Sequence, residues 1–224
     1  MFSIYNTTYG KFLLNPADNI SKWLIEGNFW EEELKEIFDT KLTKDDTIVE
    51  IGSYVGDHTV YLSKLCKKIY AYEAITQNFY QLCANLLLNN CTNVTAYNYI
   101  MGNGESVKPA LEKYSDEFCL DLEENASGAR FVPFEEADVS DLRVAVPLDS
   151  LISESISLLK VDAEGMDLSI LKGSQRIIKE HSPIILCEHN SCICEDISEY
   201  AKFFDSINYS FKQVSFYNWL AERV

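Results

Sequence analysis

The sequence predicts an α/β fold in which helices cover both faces of a mostly parallel sheet. Short runs rich in β-branched residues alternate with longer amphipathic stretches through residues 46–101, in the order strand, helix, strand, helix, strand. The same alternation resumes at residue 157 and continues to residue 208. Strands joined by helical crossovers run parallel, and 224 residues are enough for a sheet of about seven strands.

The first half of the chain divides at its turn residues. Tyr9-Gly10 favours a hairpin turn, and Gly27 separates two stretches of helical character. The β-branched run at 46–51 is typical of a buried strand, and apolar residues recur at helical spacing after His58. In chain order we expect a hairpin over Ile4–Leu14, helices over Ile20–Glu26 and Phe29–Asp39, a strand over 46–51, a helix over His58–Lys67, a strand over Ile69–Tyr72, a helix over Thr76–Asn89 and a strand over Val94–Met101.

The pattern changes in residues 103–146, which are acidic and contain only short alternating pieces such as Ala129–Val132 and Leu142–Val146. We interpret this segment as an insertion of antiparallel strands and loops. After it we expect a strand over Ser157–Val161, a helix over Asp167–Glu180, a strand over Pro183–Cys187, a helix over Cys194–Asn208, and two antiparallel edge strands over Tyr209–Val214 and Tyr217–Val224.

The chain has no internal repeat and no low-complexity linker. We therefore expect one domain over residues 1–224. Within it, residues 1–45 form an N-terminal hairpin and helix extension that acts as a lid, and residues 46–224 form the catalytic core.

Composition limits the partners and the compartment. The formal net charge of −16 argues against nucleic acid, whose binding requires clustered Lys and Arg. No apolar stretch is long enough for a transmembrane helix, and the N-terminal residues lack a signal-peptide pattern. The seven cysteines are scattered without a disulfide or zinc spacing, so we expect free thiols and a cytoplasmic protein.

A glycine-containing turn follows the first strand of the predicted sheet. Glu50 ends that strand, and Gly52 and Gly56 come shortly after it. Such a turn lets backbone N–H groups approach a ligand closely. The second strand ends in Glu73, where a carboxylate can accept hydrogen bonds from both hydroxyls of a ribose. Together these features indicate a Rossmann-like site for an adenosine-containing cofactor.

The spacing favours S-adenosyl-L-methionine over a nicotinamide dinucleotide. A dinucleotide site has the pattern G-x-G-x-x-G, but Tyr54 stands at the middle glycine position. Glu50 would repel a pyrophosphate, whereas it suits the ammonium and sulfonium of S-adenosylmethionine. An ordinary strand–turn–helix is the alternative interpretation. We expect Glu50, Gly52, Ser53 and Gly56 around the methionine part, Glu73 and Ala74 at the ribose, Ile100 and Met101 at the adenine, and Asp162 also beside the cofactor.

A second block of polar residues, Lys160-Val-Asp162-Ala-Glu164-Gly-Met-Asp167, ends a later strand and begins a helix. Strand alternation directs Lys160, Asp162 and Glu164 to one side at the carboxyl end of a central strand, where ligands bind in open parallel sheets. Ionisable groups are costly to desolvate unless they are paired or used. The block therefore predicts either a catalytic site or a structural network of ion pairs.

This block, with Pro147–Leu151 before it and Pro183–His189 after it, resembles the FkbM-type family of S-adenosylmethionine-dependent class I methyltransferases. The family signature reads K-x-D-x-E-G-x-E, and Asp167 replaces its last acid here. Ser53-Tyr54 stands where the family usually has Ala-Asn. The resemblance covers nearly the whole chain and implies methyl transfer to an oxygen, often a sugar or polyketide hydroxyl.

The resemblance implies an O-methyltransferase with a small-molecule or glycan acceptor. As its base we consider Asp162, Glu164 and His189, with Lys160 neutralising one carboxylate. Glu188 could instead join Asp162 and Glu164 around a divalent cation, but we assign no metal. Two other functions stay open, namely a nucleotide- or nicotinamide-dependent oxidoreductase and an inactive methyltransferase fold that serves as a binding module.

Overall fold

The computed structural model describes residues 1–109, 131–133, 143–192, 194 and 196–224. Its strands are β1 (Ser3–Asn6), β2 (Lys11–Leu14), β3 (Thr47–Ile51), β4 (Lys68–Tyr72), β5 (Val94–Tyr97), β6 (Ser106–Pro109), β7 (Phe131–Pro133), β8 (Arg143–Val144), β9 (Leu158–Val161), β10 (Ile184–Glu188), β11 (Tyr209–Gln213) and β12 (Asn218–Arg223). Its helices are α1 (Asn19–Ile25), α2 (Glu32–Lys41), α3 (Asp57–Ser63), α4 (Thr76–Leu88), α5 (Asp167–Lys172), α6 (Gln175–His181) and α7 (Ile197–Ser206).

A seven-stranded sheet in the order β11-β12-β10-β9-β3-β4-β5 forms the centre of the molecule. Strands β5, β4, β3, β9 and β10 pair in parallel, whereas β12 pairs antiparallel with both β10 and β11. The predicted α/β fold, with its mostly parallel sheet and antiparallel edge strands, is thereby confirmed. None of the helices in the described ranges is long and apolar enough to cross a membrane.

The central strands are buried on both faces because their apolar residues alternate between two hydrophobic clusters. Ile48 and Leu158 pack into one cluster, and their chain neighbours Val49 and Leu159 pack into the other. This period of two is a property of extended backbone. It explains why β3 and β9 are continuous apolar runs interrupted only by Glu50 and Lys160 near their ends.

The insertion after β5 contains antiparallel strands, as predicted. Strand β6 pairs antiparallel with β7 and with β8. These strands overlap the predicted pieces Ala129–Val132 and Leu142–Val146, whose remaining parts lie partly outside the described residues.

Several predicted elements differ in extent. The helix expected over His58–Lys67 ends at Ser63, and the helix expected over Cys194–Asn208 covers only Ile197–Ser206. The helix expected over Asp167–Glu180 is divided at Gly173, where a Cβ atom would lie 2.0 Å from the carbonyl oxygen of Gly102. The missing side chain of Gly173 leaves room for the backbone of Gly102 at this break. The strand expected over Val94–Met101 ends at Tyr97, and Met101 forms an isolated parallel bridge with Val146.

The predicted N-terminal hairpin is formed by β1 and β2, and side chains of α4 bind its second strand. The Leu13 N–H donates to Asn85 Oδ1 at 2.6 Å, and Gln81 Nε2 donates to the Leu13 carbonyl at 2.7 Å. Further along the segment, the His58 ring on α3 lies 2.9 Å from the Trp30 carbonyl. The N-terminal segment is thus attached to the core both at its hairpin and just before α2.

A buried charged pair crosses between β3 and β9. Glu50 lies opposite Lys160 in the parallel register, and the two residues are 1% and 3% exposed. Lys160 Nζ lies 3.9 Å from Glu50 Oε1 and 3.1 Å from Asp162 Oδ2, while Thr59 Oγ1 donates to Glu50 Oε2 at 2.6 Å. Burial raises the pKa of Glu50. Burial opposes the charge on Lys160, but the Asp162 and Glu50 carboxylates raise its pKa above the ordinary value.

We expect Lys160→Met to destabilise the protein by about 3–5 kcal/mol, because it leaves the buried carboxyl group of Glu50 without its cation. Urea unfolding measures this change. Lys41→Met is a matched control, since Lys41 forms an exposed pair with Glu222 at 2.8 Å and its loss should cost little. An equal cost for the two variants would show that Lys160 does not hold the strands together.

Candidate functional site

A cavity of about 290 Å³ opens at the carboxyl ends of the central strands. The strand order reverses between β3 and β9, and ligands of open α/β sheets bind at such a reversal. Seven of the residues expected at the site line this cavity, namely Gly52, Glu73, Ala74, Ile100, Met101, Asp162 and Glu164. The other five, Glu50, Ser53, Gly56, Lys160 and His189, are not among its lining residues.

The loop after β3 passes directly against the end of β9. Gly52 has φ +83°, and a Cβ atom there would lie 1.7 Å from the Asp162 carbonyl oxygen. Gly56 has φ +85°, and its Cβ would lie 2.6 Å from Leu82 of α4. Both glycines are therefore required by backbone conformation and by close packing within the protein. Gly52 also lines the cavity, and the predicted approach of these glycines to a ligand stays a prediction.

Glu73 follows β4 and faces the cavity while being 5% exposed. Its Oε2 accepts from the Tyr54 N–H at 2.8 Å, and its Oε1 accepts from the Ile75 N–H at 2.8 Å. Burial raises the pKa of Glu73 to about 7, and the two backbone donors oppose that shift. The carboxylate is fixed in place with lone pairs still available to a ligand.

The loop after β9 carries Asp162 and Glu164 into the cavity. Glu164 has φ 50° and Gly165 has φ 97°, so the backbone turns sharply here. Asp167 is fully buried below the turn, and its oxygens accept from the N–H groups of Ala163 at 3.4 Å and Gly165 at 3.2 Å. Burial, and then the charge of Asp162, raise the pKa of Asp167 to about 7. Asp167 therefore positions the loop from beneath.

Glu188 and Glu31 approach the cavity from two other elements. Glu188 ends β10, and Glu31 precedes α2 with a left-handed φ of 54°. Burial, and then the charges of Asp162 and Asp167, raise the pKa of Glu188 to about 9. Burial, and then the charge of Asp162, raise the pKa of Glu31. Glu31 Oε1 also accepts from Asn218 Nδ2 on β12.

His189 lies away from the cavity lining, although Glu188 beside it is part of that lining. The His189 ring packs edge-on against the buried Tyr200 ring, with 5.1 Å between centroids. Successive residues of an extended chain point to opposite sides, so adjacent positions have different surroundings. In the described part of the chain, no group of three or more His, Cys, Asp or Glu residues is arranged to hold a metal ion.

Sequence reasoning missed several lining residues. Glu188, the last residue of β10, was expected only as a possible metal ligand, and Asn190, two residues further on, had no expected role. Their place at a strand end is the signal that indicates both. Trp30, Glu31 and Tyr217 lie in segments far from the motifs, and no local pattern indicates that they reach the cavity.

Solved structures with a similar fold include methyltransferases. The FkbM methyltransferase from Methylobacillus flagellatus KT is 18% identical, with a TM-score of 0.54 over 80% of this chain and 44% of that chain, so this chain spans less than half of its length. Precorrin-6y C5,15-methyltransferase from Geobacter metallireducens GS-15 is 13% identical, with a TM-score of 0.52 over 86% of this chain and 88% of that chain. The putative methyltransferase SMU.1697c from Streptococcus mutans, solved in complex with SAH, is 13% identical, with a TM-score of 0.52 over 87% and 98% of the two chains.

At these identities the similarity shows the class I methyltransferase fold. No curated protein sequence matches this chain. The family profile of the methyltransferase FkbM domain matches residues 50–212, which is more than half of the chain and includes the Lys160–Asp167 block. The predicted resemblance is confirmed, and the chain belongs to the FkbM methyltransferase family.

Proposed function

We propose that this protein transfers a methyl group from S-adenosylmethionine to a hydroxyl oxygen of a sugar or glycan. The observation that carries the proposal is the cavity at the strand reversal of an FkbM-family fold, with Glu73 fixed at the end of β4. S-adenosylmethionine supplies an electrophilic methyl group when bound. The protein has to hold the donor, orient the acceptor oxygen and receive its proton.

The residues at the β3–β5 side of the cavity fit S-adenosylmethionine. Glu73 presents a carboxylate for the ribose hydroxyls, with Ala74 beside it. Ile100 and Met101 offer apolar contact for the adenine. We assign Gly52, Ser53 and Gly56 to the loop that bounds the methionine part. Glu50, two residues before Gly52, is held by the charge of Lys160 and by a hydrogen bond from Thr59.

The charge of the cavity favours this donor over a dinucleotide. Glu73, Asp162 and Glu164 all line it, and carboxylates repel a pyrophosphate. A sulfonium and an ammonium would instead be attracted. The oxidoreductase alternative is therefore weaker. The precisely held carboxylates also weigh against an inactive binding module, which has no use for desolvated acids.

The loop after β9 provides the base in this proposal. Asp162 is 29% exposed at its side chain, and Lys160 Nζ lies 3.1 Å from its Oδ2, so the carboxyl group is held at the cavity where it can accept a proton from the acceptor hydroxyl. Glu164 is the second candidate because it also lines the cavity. His189, whose ring packs on Tyr200, is the weakest candidate.

Residues 1–45 act as the lid of a single domain in this proposal. Ile20, Trp30 and Glu31 from this segment line the cavity. A cover over the reacting groups excludes water, and this exclusion favours methyl transfer.

Incubation with isotope-labelled S-adenosylmethionine and a panel of sugars, glycans and small alcohols tests the function. Mass spectrometry then locates the label. Label on a hydroxyl oxygen supports the proposal. Binding of NAD in place of S-adenosylmethionine, measured by calorimetry, would refute it.

We expect Glu73→Ala to weaken S-adenosylmethionine binding by about 1–3 kcal/mol, because charge-assisted hydrogen bonds to the ribose are lost. Isothermal titration calorimetry measures the dissociation constant. Glu36→Ala on the exposed face of α2 is the control and should bind normally. Unchanged affinity in a folded Glu73 variant would contradict the ribose assignment.

The affinity for S-adenosylmethionine should also depend on pH through Glu73. Its pKa of about 7 means that the carboxyl keeps its proton below that pH and then has fewer lone pairs for the ribose. We expect affinity to fall as pH drops from about 8 to about 6, and this dependence to shrink in Glu73→Ala. A slope that is the same in both proteins would assign the effect to another group.

Asp162→Asn should lower turnover by about 10²–10⁴-fold while leaving donor binding nearly intact, because it removes the proton acceptor and keeps the side-chain shape. His189→Gln is the comparison variant and should retain most of the activity. Steady-state kinetics with the identified acceptor measure both. The opposite ranking would make His189 the base.

A further inference from the structure

Carboxylates gather on the side of the cavity that faces away from the Glu73 ribose position. Asp162 and Glu164 come from the loop after β9, Glu188 from the end of β10, and Glu31 from the segment before α2. Among the described residues that line the cavity, none is Lys or Arg. We call these four residues, Glu31, Asp162, Glu164 and Glu188, the acidic wall.

Two oxygens of the acidic wall lack a hydrogen-bond donor. Glu31 Oε2 and Glu188 Oε2 are buried atoms, and neither has a partner in the described part of the protein. A buried acceptor without a partner costs roughly 1–3 kcal/mol. Both residues nevertheless line the cavity, so rotation of either carboxyl group about its last side-chain bond would present the unpartnered oxygen to a molecule bound there.

Aromatic side chains line the same cavity independently of the carboxylates. Trp30 precedes Glu31, and Tyr217 lies in the turn between β11 and β12, where it is 41% exposed. Aromatic faces stack on the apolar face of a sugar ring and also attract cations. Carboxylates combined with aromatic faces form the usual surroundings of an organic ammonium group.

We propose that the acceptor carries a cationic amine, and that this amine binds at the acidic wall between Glu31 and Glu188. The proposal rests on the methyltransferase function and specifies its acceptor as an amino sugar or a related amine-bearing alcohol. Glu31 and Glu188 are specificity-determining residues in this assignment, and the amine is a docking group distinct from the methylated hydroxyl.

An amine accounts for the acidic wall better than a neutral hydroxyl does. A hydroxyl could donate to one unpartnered oxygen, but it would not offset the burial and the neighbouring carboxylate charges that raise the pKa values of Glu31 and Glu188. An ammonium donates three hydrogen bonds and also offsets negative charge. An anionic acceptor, such as a phosphorylated or carboxylated sugar, would be repelled.

The test compares acceptors that differ only in the amine. After S-adenosylmethionine binding has been verified, the protein saturated with S-adenosylhomocysteine is titrated with glucosamine, glucose and N-acetylglucosamine. These three sugars form the first series, and the second series is tyramine and its alcohol counterpart 4-(2-hydroxyethyl)phenol. We expect the protonated amine to bind about tenfold or more tightly than its neutral partner in at least one series.

Variants assign that preference to the acidic wall. Glu188→Gln and Glu31→Gln should each reduce it severalfold, whereas Glu36→Gln on the exposed face of α2 should preserve it. Equal binding of amines and neutral partners in both series, or a preference that survives in both acidic-wall variants, would overturn the inference. Failure of S-adenosylmethionine to bind would instead refute the proposed methyltransferase function, so the two failures are distinguishable.

Discussion

The position of Lys160 is the constraint on which the centre of this structure depends. The sheet reverses its order between β3 and β9, and Lys160 places one buried cation across that boundary between Glu50 and Asp162. A buried ammonium is tolerated only when carboxylates surround it. The pair therefore requires the strands to meet in one register, with Glu50 opposite Lys160. A register shift would leave Glu50 and Lys160 without each other in the core.

The loops that follow β3 and β9 are fixed by contacts with each other and with the residues beneath them. Gly52 passes so near the Asp162 carbonyl that no side chain fits between them. Asp167 holds the next turn from below through the backbone N–H groups of Ala163 and Gly165. The side chains that enter the cavity are thus carried by short, braced loops. Rigid support of this kind is what positioning a donor and an acceptor demands.

The sequence was sufficient to predict the sheet, the hairpin and the Lys160–Asp167 block because these depend on local periodicity and on charged residues at strand ends. It was insufficient where the determinant is a distant partner. Only glycine fits at position 173, where a predicted helix is divided, because Gly102, far away in sequence, lies against it. Trp30 and Glu31 reach the cavity because His58 and Asn218 hold their segment. His189 was predicted at the site because an imidazole can accept a proton near neutral pH. Strand alternation instead gives the cavity position to Glu188.

The carboxyl groups around the cavity differ in how fully cations and hydrogen-bond donors pair with them. Near β3 and β9 each carboxylate has a local partner, since Lys160 binds Asp162 and backbone N–H groups bind both oxygens of Glu73. Toward β10 this compensation ends, because Glu31 and Glu188 each retain one buried oxygen without a donor in the described part of the chain. Unmet hydrogen-bonding capacity therefore increases from the β4 side to the β10 side, where Glu188 has a pKa of about 9 and keeps its proton near neutral pH. A cation at that end of the cavity would stabilise the ionised form of Glu31 and Glu188, and this orients the proposed amine toward β10.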